Sequence, residues 1–223
     1  MLKVARLLKQ ATELYKYPRT FHIPGSPGAT SDDKVLSTMD HFHGQDVVIT
    51  EKMDGENTTI YPDAMHSRSL DSNNHPSRNW VKKLQSEVGY QIPTGMRICG
   101  ENVFAQHSIG YNELPSYFLV FSIWEGNTCL SWDETEFYCK ELGLHTVPVL
   151  YRGTFDEQNL EQKFFSGTSA YGGDQEGFVV RLARTFNKSE FSKALAKWVR
   201  PNHVQPDAEH WTKQPVVPNK MNA

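Results

Sequence analysis

DVVITEKMDGENTTIY, residues 46–61, holds a strand, a tight reversal and a second strand within sixteen positions. Val47, Val48, Ile49 and Thr50 are β-branched and favour extended backbone, Asp54-Gly55 is an ordinary hairpin dipeptide, and Thr58 to Tyr61 resume the strand pattern. Lys52 therefore falls where an apolar strand ends, a place from which its amine can face a cleft. On its own the Lys-x-Asp-Gly string is a weak signal, because a surface lysine beside a common turn has the same appearance.

Working outward, RICGENVF (97–104), YFLVFSIW (117–124), VPVLY (147–151) and EGFVVRL (176–182) are short, rich in aromatic and β-branched residues and bounded by turn formers, which predicts strands. Ser77 to Val88 carries Trp80, Val81, Leu84 and Val88 at helical spacing and ends at Gly89; Ser131 to Leu142 opens on Ser131 or Asp133 as a cap and ends at Gly143. Residues 17–46, from YPRTFHIPGSPGATSDDK onward, predict an ordered surface loop, and MLKVARLLKQATELY predicts an amphipathic helix without the apolar core or cleavage site of a signal peptide. Strands in series with helices at irregular intervals predict an α+β fold with antiparallel sheets and no repeating βαβ array. Without an internal repeat or a low-complexity linker, one domain over 1–223 is expected, with 1–46 as N-terminal helix and loop.

The 223 residues are 38% hydrophobic and 12% aromatic, the composition of a chain that buries a core, and no apolar run approaches the roughly 18 residues of a membrane span. A cytoplasmic location is expected. The net charge of −3 excludes a surface coated in basic charge, so contact with nucleic acid must come from local patches. Two are present: Lys3, Arg6, Lys9, Lys16 and Arg19, and the set Lys188, Lys193, Lys197, Arg200 and Lys213. Cys99, Cys129 and Cys139 lack CxxC spacing and are expected as buried thiols; His41 and His43 have no partner at metal-ligand spacing, so no structural metal is expected there.

KMDGEN from Lys52, HSRS with Arg68, CGEN with Glu101, FLVFSIW, EGFVVR from Glu176 and ALAKWVR with Lys197 follow one another in order. In that order they resemble the six motifs of the covalent nucleotidyltransferase superfamily of RNA ligases, DNA ligases and mRNA capping enzymes. Asn57 after Gly55-Glu56 is similar to nick-sealing, RNA ligase 2-like members. YPRTFHIPGSPG, RSLDSNNHPSRNWVK, GENVFAQHSIGY and KWVRPNHVQ resemble a subgroup of short microbial and viral RNA ligase-like proteins.

The resemblance implies an ATP-grasp-like ligase adenylation fold, antiparallel sheets flanking a nucleotide cleft, and no room for a separate OB or helical domain. It implies that Lys52 takes AMP from ATP, that AMP passes to an RNA 5′-phosphate, and that a 3′-hydroxyl then displaces it, a route used in RNA repair. Glu101 would bind the ribose, Phe121 or else Phe118 would stack on adenine, and Glu176 would hold Mg²⁺ or Mn²⁺. Lys197 would neutralise the α-phosphate, Arg68 would grip the RNA 5′-phosphate or the AMP phosphate, and Glu51, Asp54 and Asn57 would complete the nucleotide-binding set. A second lysine expected two residues after Lys197 is Val199 here, with Arg200 or Lys193 as substitutes. An attacking amine must be uncharged, so burial, Lys197 and a metal are expected to lower the Lys52 pKa from its ordinary value of about 10.4. The implied partner is RNA ends at a nick, gripped by a monomer through its N-terminal helix, the Arg19 loop and the C-terminal tail, or with an accessory protein. A DNA ligase, a capping guanylyltransferase and a non-catalytic RNA-binding module are the alternatives.

Overall fold

The structure, a computed structural model, describes residues 12–71, 74–201 and 215–222. Most of the expected N-terminal helix, with Lys3, Arg6 and Lys9, lies outside the described residues, as does Lys213; residues 12–20 run without regular secondary structure. In chain order the strands are β1 (Phe21–His22), β2 (Asp46–Lys52), β3 (Glu56–Ile60), β4 (Met65–Ser67), β5 (Met96–Asn102) and β6 (Phe118–Glu125). They continue as β7 (Thr128–Cys129), β8 (His145–Thr146), β9 (Val149–Thr154), β10 (Gly177–Leu182), β11 (Phe186–Asn187) and β12 (Leu195–Val199). The helices are α1 (Asn79–Val88), α2 (Trp132–Glu141), α3 (Leu160–Phe164) and α4 (Phe191–Ala194).

Two largely antiparallel sheets result. One runs β1-β12-β10-β2-β9; the other runs β11-β7-β6-β5-β3-β4, with β8 added beside β6. The strand over 46–52 has the expected bounds, and those near 58, 97, 117, 147 and 176 shift by no more than three residues at either end. Helix α2 starts where its cap predicts: Ser131 accepts from the Glu134 amide while the Glu134 carboxylate accepts from the Ser131 amide, closing a reciprocal capping box. Helix α1 starts two residues late because a 3₁₀ turn over Pro76–Arg78 leads into it.

Two departures shape the site. Within the expected surface loop, β1 pairs in parallel with β12, Phe21 opposite Ala196 and His22 opposite Lys197. LAKWV itself becomes a strand because β10 lies antiparallel on its other side. A Cβ on Gly177 would stand 2.0 Å from the Trp198 carbonyl oxygen, so this approach of β10 to β12 requires glycine. Both faces of β2 are buried: Val47 and Ile49 pack with Phe178, Val180 and Trp198, while Val48 packs with Leu119, Tyr111 and Trp132. A further core of Ile60, Ile98, Phe118, Val120 and Ile123 joins the second sheet to α1 through Val81 and to α2 through Cys139.

Candidate active site

A cavity of about 250 Å³ opens between the sheets. The first sheet supplies Thr50, Glu51 and Lys52 from β2, Val179 and Arg181 from β10, and Lys197 from β12; the second supplies Asn57, Glu101 and Phe121. Arg68, just after β4, and Arg19 are exposed cations on its wall. Register explains why Glu176 meets Lys52: Gly177 is the direct partner of Lys52, so the preceding residue sits beside the lysine. Lys52 Nζ donates to Glu176 Oε2 at 2.6 Å.

Lys52 does not titrate as expected. Burial pushes its pKa down, but the carboxylates of Glu176, Glu101 and Asp54 outweigh burial and the net direction is up. In the ligand-free cavity the lysine is an ammonium ion. The acids respond in the opposite sense: burial raises Glu101 to about 8, against the pull of Lys52 and with the repulsion of Glu176. Burial raises Glu176 as well, and lowers Lys197, which the Lys52 charge lowers further.

Glu51 is only 2% exposed. Its Oε2 accepts from the Ala170 amide, while Oε1 has no partner, and burial raises its pKa. Asn57 Oδ1 is likewise buried and unpaired. Two orphaned acceptors on the wall of one cavity cost free energy unless a ligand brings donors to them, and a nucleoside, with its hydroxyls and exocyclic amine, brings such donors.

Comparison with known proteins agrees with this geometry. The RNA ligase family model matches residues 45–199, the span that carries the cavity's strands. The chain belongs to the RNA ligase family. Among solved structures it is similar to Naegleria gruberi RNA ligase: with PPi, at 18% identity and a TM-score of 0.53 over 73% of this chain and 51% of that one. A variant of the same ligase with AMP and Mn matches at 16% identity and a TM-score of 0.53, over 73% and 52%. This chain thus spans about half the length of those proteins. No curated protein sequence matches it.

In this RNA ligase-family chain the structure brings Glu51, Lys52, Asn57, Arg68, Glu101, Phe121 and Lys197 onto one cavity wall, with Glu176 against Lys52. Asp54 is the correction. Its Oδ2 accepts from the Ser108 amide and hydroxyl and from the Ile109 amide, and its own amide donates to the Tyr111 hydroxyl. One carboxylate oxygen is thus held by the turn after Lys52, and the residue does not line the cavity, although its charge still acts on Lys52. Phe118 is fully buried in core, so of the two candidate phenylalanines only Phe121 lines the cavity. Neither substitute for Val199 reaches the cavity: Lys193 is exposed on α4, and Arg200 pairs with Asp174 at 3.3 Å.

Arg181, Asp33 and Tyr17 also line the cavity, beside the Arg19 expected to help grip substrate, and motif reading gave none of those three a role. Arg181 is 2% exposed; it donates to the carbonyls of Phe121 and Leu130, tying the strand that carries the aromatic face to β10. Its one sequence signal was an arginine inside an otherwise apolar strand. Away from the cavity, His43 pairs with Glu157 at 2.9 Å, and these two with Asp40 bring exposed ligand atoms within 4.8 Å of one another, a grouping no sequence spacing displays.

Proposed function

We propose that this chain is the adenylation unit of an ATP-dependent RNA ligase, with Lys52 as the residue that accepts AMP. The observation that carries the proposal is one cavity in which a lysine is paired with Glu176, accompanied by a second lysine, and faced by unpaired buried acceptors. The family membership and the fold shared with a ligase solved with PPi and with AMP and Mn support the same chemistry.

In this mechanism Phe121 offers its ring face to adenine, and the unpaired Oε1 of Glu51 accepts from the adenine amine, which guanine lacks at that position. Glu101 and Asn57 accept from the ribose hydroxyls. Lys197, on the same cavity wall, stabilises charge growing on the α-phosphate, and Arg68 takes the RNA 5′-phosphate or the AMP phosphate. Lys52 attacks the α-phosphorus, a P–N bond forms as the P–O bond to pyrophosphate breaks, and the ammonium proton must leave first. The donors present, the buried carboxylate of Glu176 with Glu101 nearby, are hard oxygens that suit a hard divalent cation. Mg²⁺ or Mn²⁺ held at Glu176 would neutralise phosphate charge and cancel the field that keeps Lys52 protonated. AMP then passes to the RNA 5′-phosphate, and a 3′-hydroxyl displaces it to seal the strand.

Incubating the protein with Mg²⁺ and ATP labelled at the α-phosphate, followed by denaturing electrophoresis, tests the first step. The wild type should carry label and Lys52→Ala none; an unlabelled wild type sinks the ligase proposal. Sealing of a nicked duplex should then depend on a ribose at the 3′ side of the nick, since the 2′-hydroxyl separates RNA from DNA. Equal sealing of deoxyribose ends would make the chain a DNA ligase. Cytoplasmic RNA repair by a monomer, with substrate grip from flanking basic segments or a partner protein, belongs to the same proposal; light scattering of the purified protein with and without nicked RNA tests its oligomeric part.

A further inference from the structure

The two cavity lysines are held differently. Lys52 is locked to Glu176 by a 2.6 Å hydrogen bond, whereas the partner of Lys197 is Asp33, whose Oδ1 stands 3.8 Å from Nζ. Asp33 lies before the family-matched residues 45–199, in the stretch whose composition predicted an ordinary surface loop.

Its orientation is set in detail. Oδ2 accepts from the amide and hydroxyl of Thr30, at 3.2 and 3.0 Å, and faces His22 Nε2 at 3.5 Å. His22 is buried, its Nδ1 is 2.9 Å from the Ser26 hydroxyl, and in the parallel β1–β12 register it is the direct partner of Lys197. Ser26 closes the frame by accepting from the Val199 amide, two residues beyond Lys197. One carboxylate oxygen is thus fixed by the loop, and the other is left turned to the lysine.

We propose that Asp33 is a positioning residue for Lys197, holding its ammonium group inside the cavity until the nucleotide phosphates arrive. The inference rests on the adenylation role given to this cavity. A lysine stem is flexible and its rotamer freedom is costly to lose. Lys52 and Arg68 act on Lys197 as like charges, opposed by Asp33 and, more weakly, by Glu176, which is already bonded to Lys52; without Asp33 the balance shifts toward repulsion and the side chain is driven toward solvent. At 3.8 Å Asp33 supplies attraction without consuming a hydrogen bond, so all three ammonium protons stay available to phosphate oxygens. A glutamate packed against the amine, as Glu176 is against Lys52, would have to be displaced first.

A double-mutant cycle tests this. The rate of Lys52 labelling at saturating ATP and the ATP affinity by calorimetry are measured for wild type, Asp33→Asn, Lys197→Ala and the double variant. Asparagine keeps the acceptor for Thr30, and near-ultraviolet circular dichroism checks that the loop still packs. Asp33→Asn should slow labelling by roughly tenfold in the Lys197 background, and by less than about twofold when Lys197 is alanine, because interacting residues are not additive. Asp33→Glu should recover part of the rate. Equal slowing in both backgrounds would mean that Asp33 merely folds the loop, and an unchanged or faster Asp33→Asn would remove it as a positioning group; either overturns the proposal while the ligase reading stands. If the wild type binds ATP but takes no label, the ligase reading falls and the same coupling, read in ATP affinity, supports or overturns the role of Asp33. Absence of both label and ATP binding overturns both.

Discussion

Three acids bias the charge of Lys52, and the consequence is measurable in the ligand-free protein. Glu101, at about 8, binds its proton more tightly folded than unfolded, as do Glu176 and Glu51 by direction. A folded pKa above the unfolded one means that the contribution to stability is whole below the unfolded value near 4.5 and is lost as pH rises toward 8. Thermal unfolding without nucleotide should therefore show a lower midpoint at pH 8 than at pH 6, and Glu101→Gln should flatten that slope; an unaltered slope in the variant would place the titration elsewhere. Glu51→Gln presents either a donor or a neutral acceptor to the base, so ATP should lose its advantage over GTP in the labelling assay while overall stability changes little. The cysteines illustrate the same physics with no role in chemistry: all three are buried, and burial raises Cys129 to about 11 and Cys139 to about 12. They should resist thiol reagents at neutral pH unless the protein is unfolded.

Elements were legible in proportion to how much of their stabilisation is local. Helix α2 announced itself through Ser131 and Glu134, which satisfy each other's backbone donors without help from distant residues; Ser131→Ala should cost about 1 kcal/mol in denaturant melts. Strand β2 was legible because it is buried on both faces and reads as a continuous apolar run. Strand β12 was not, since Lys197 interrupts LAKWV and only pairing with β10 and β1 makes it extended. Gly177 marks that pairing: alanine there meets the Trp198 carbonyl and must push the strands apart, at a cost of about 1–3 kcal/mol, with a lower melting midpoint than wild type as the check. Because the same register sets Glu176 beside Lys52, the Gly177→Ala protein should also label more slowly than its loss of stability alone accounts for.

Across the whole molecule, a net charge of −3 and a cavity ringed by Lys52, Lys197, Arg68 and Arg19 divide the work between general repulsion and local attraction for a polyanion. RNA affinity should fall with salt, and Arg68→Ala should lower the slope of log affinity against log salt by about 1. Reversing Lys3, Arg6 and Lys9 to glutamate should weaken RNA binding in a salt-dependent way and leave Lys52 labelling intact; unchanged affinity would remove that segment from the substrate path. Among the described residues no helix is long and apolar enough to cross a membrane.

Order along the chain by itself singled out Lys52, Glu101, Glu176, the strand of Phe121 and Lys197 as candidates, because each is a residue type suited to the proposed chemistry and each sits in a short local pattern around a strand end. The tertiary structure decided what those patterns leave open. It tied Asp54 Oδ2 to the backbone amides of Ser108 and Ile109, which keeps the residue off the cavity wall. It kept Lys52 charged because carboxylates from three separate parts of the chain, Glu176, Glu101 and Asp54, converge on it, a sum no single stretch records. And it carried Asp33 and Tyr17 to the cavity through a two-residue parallel strand, a long-range pairing whose only local trace is a loop rich in proline and glycine.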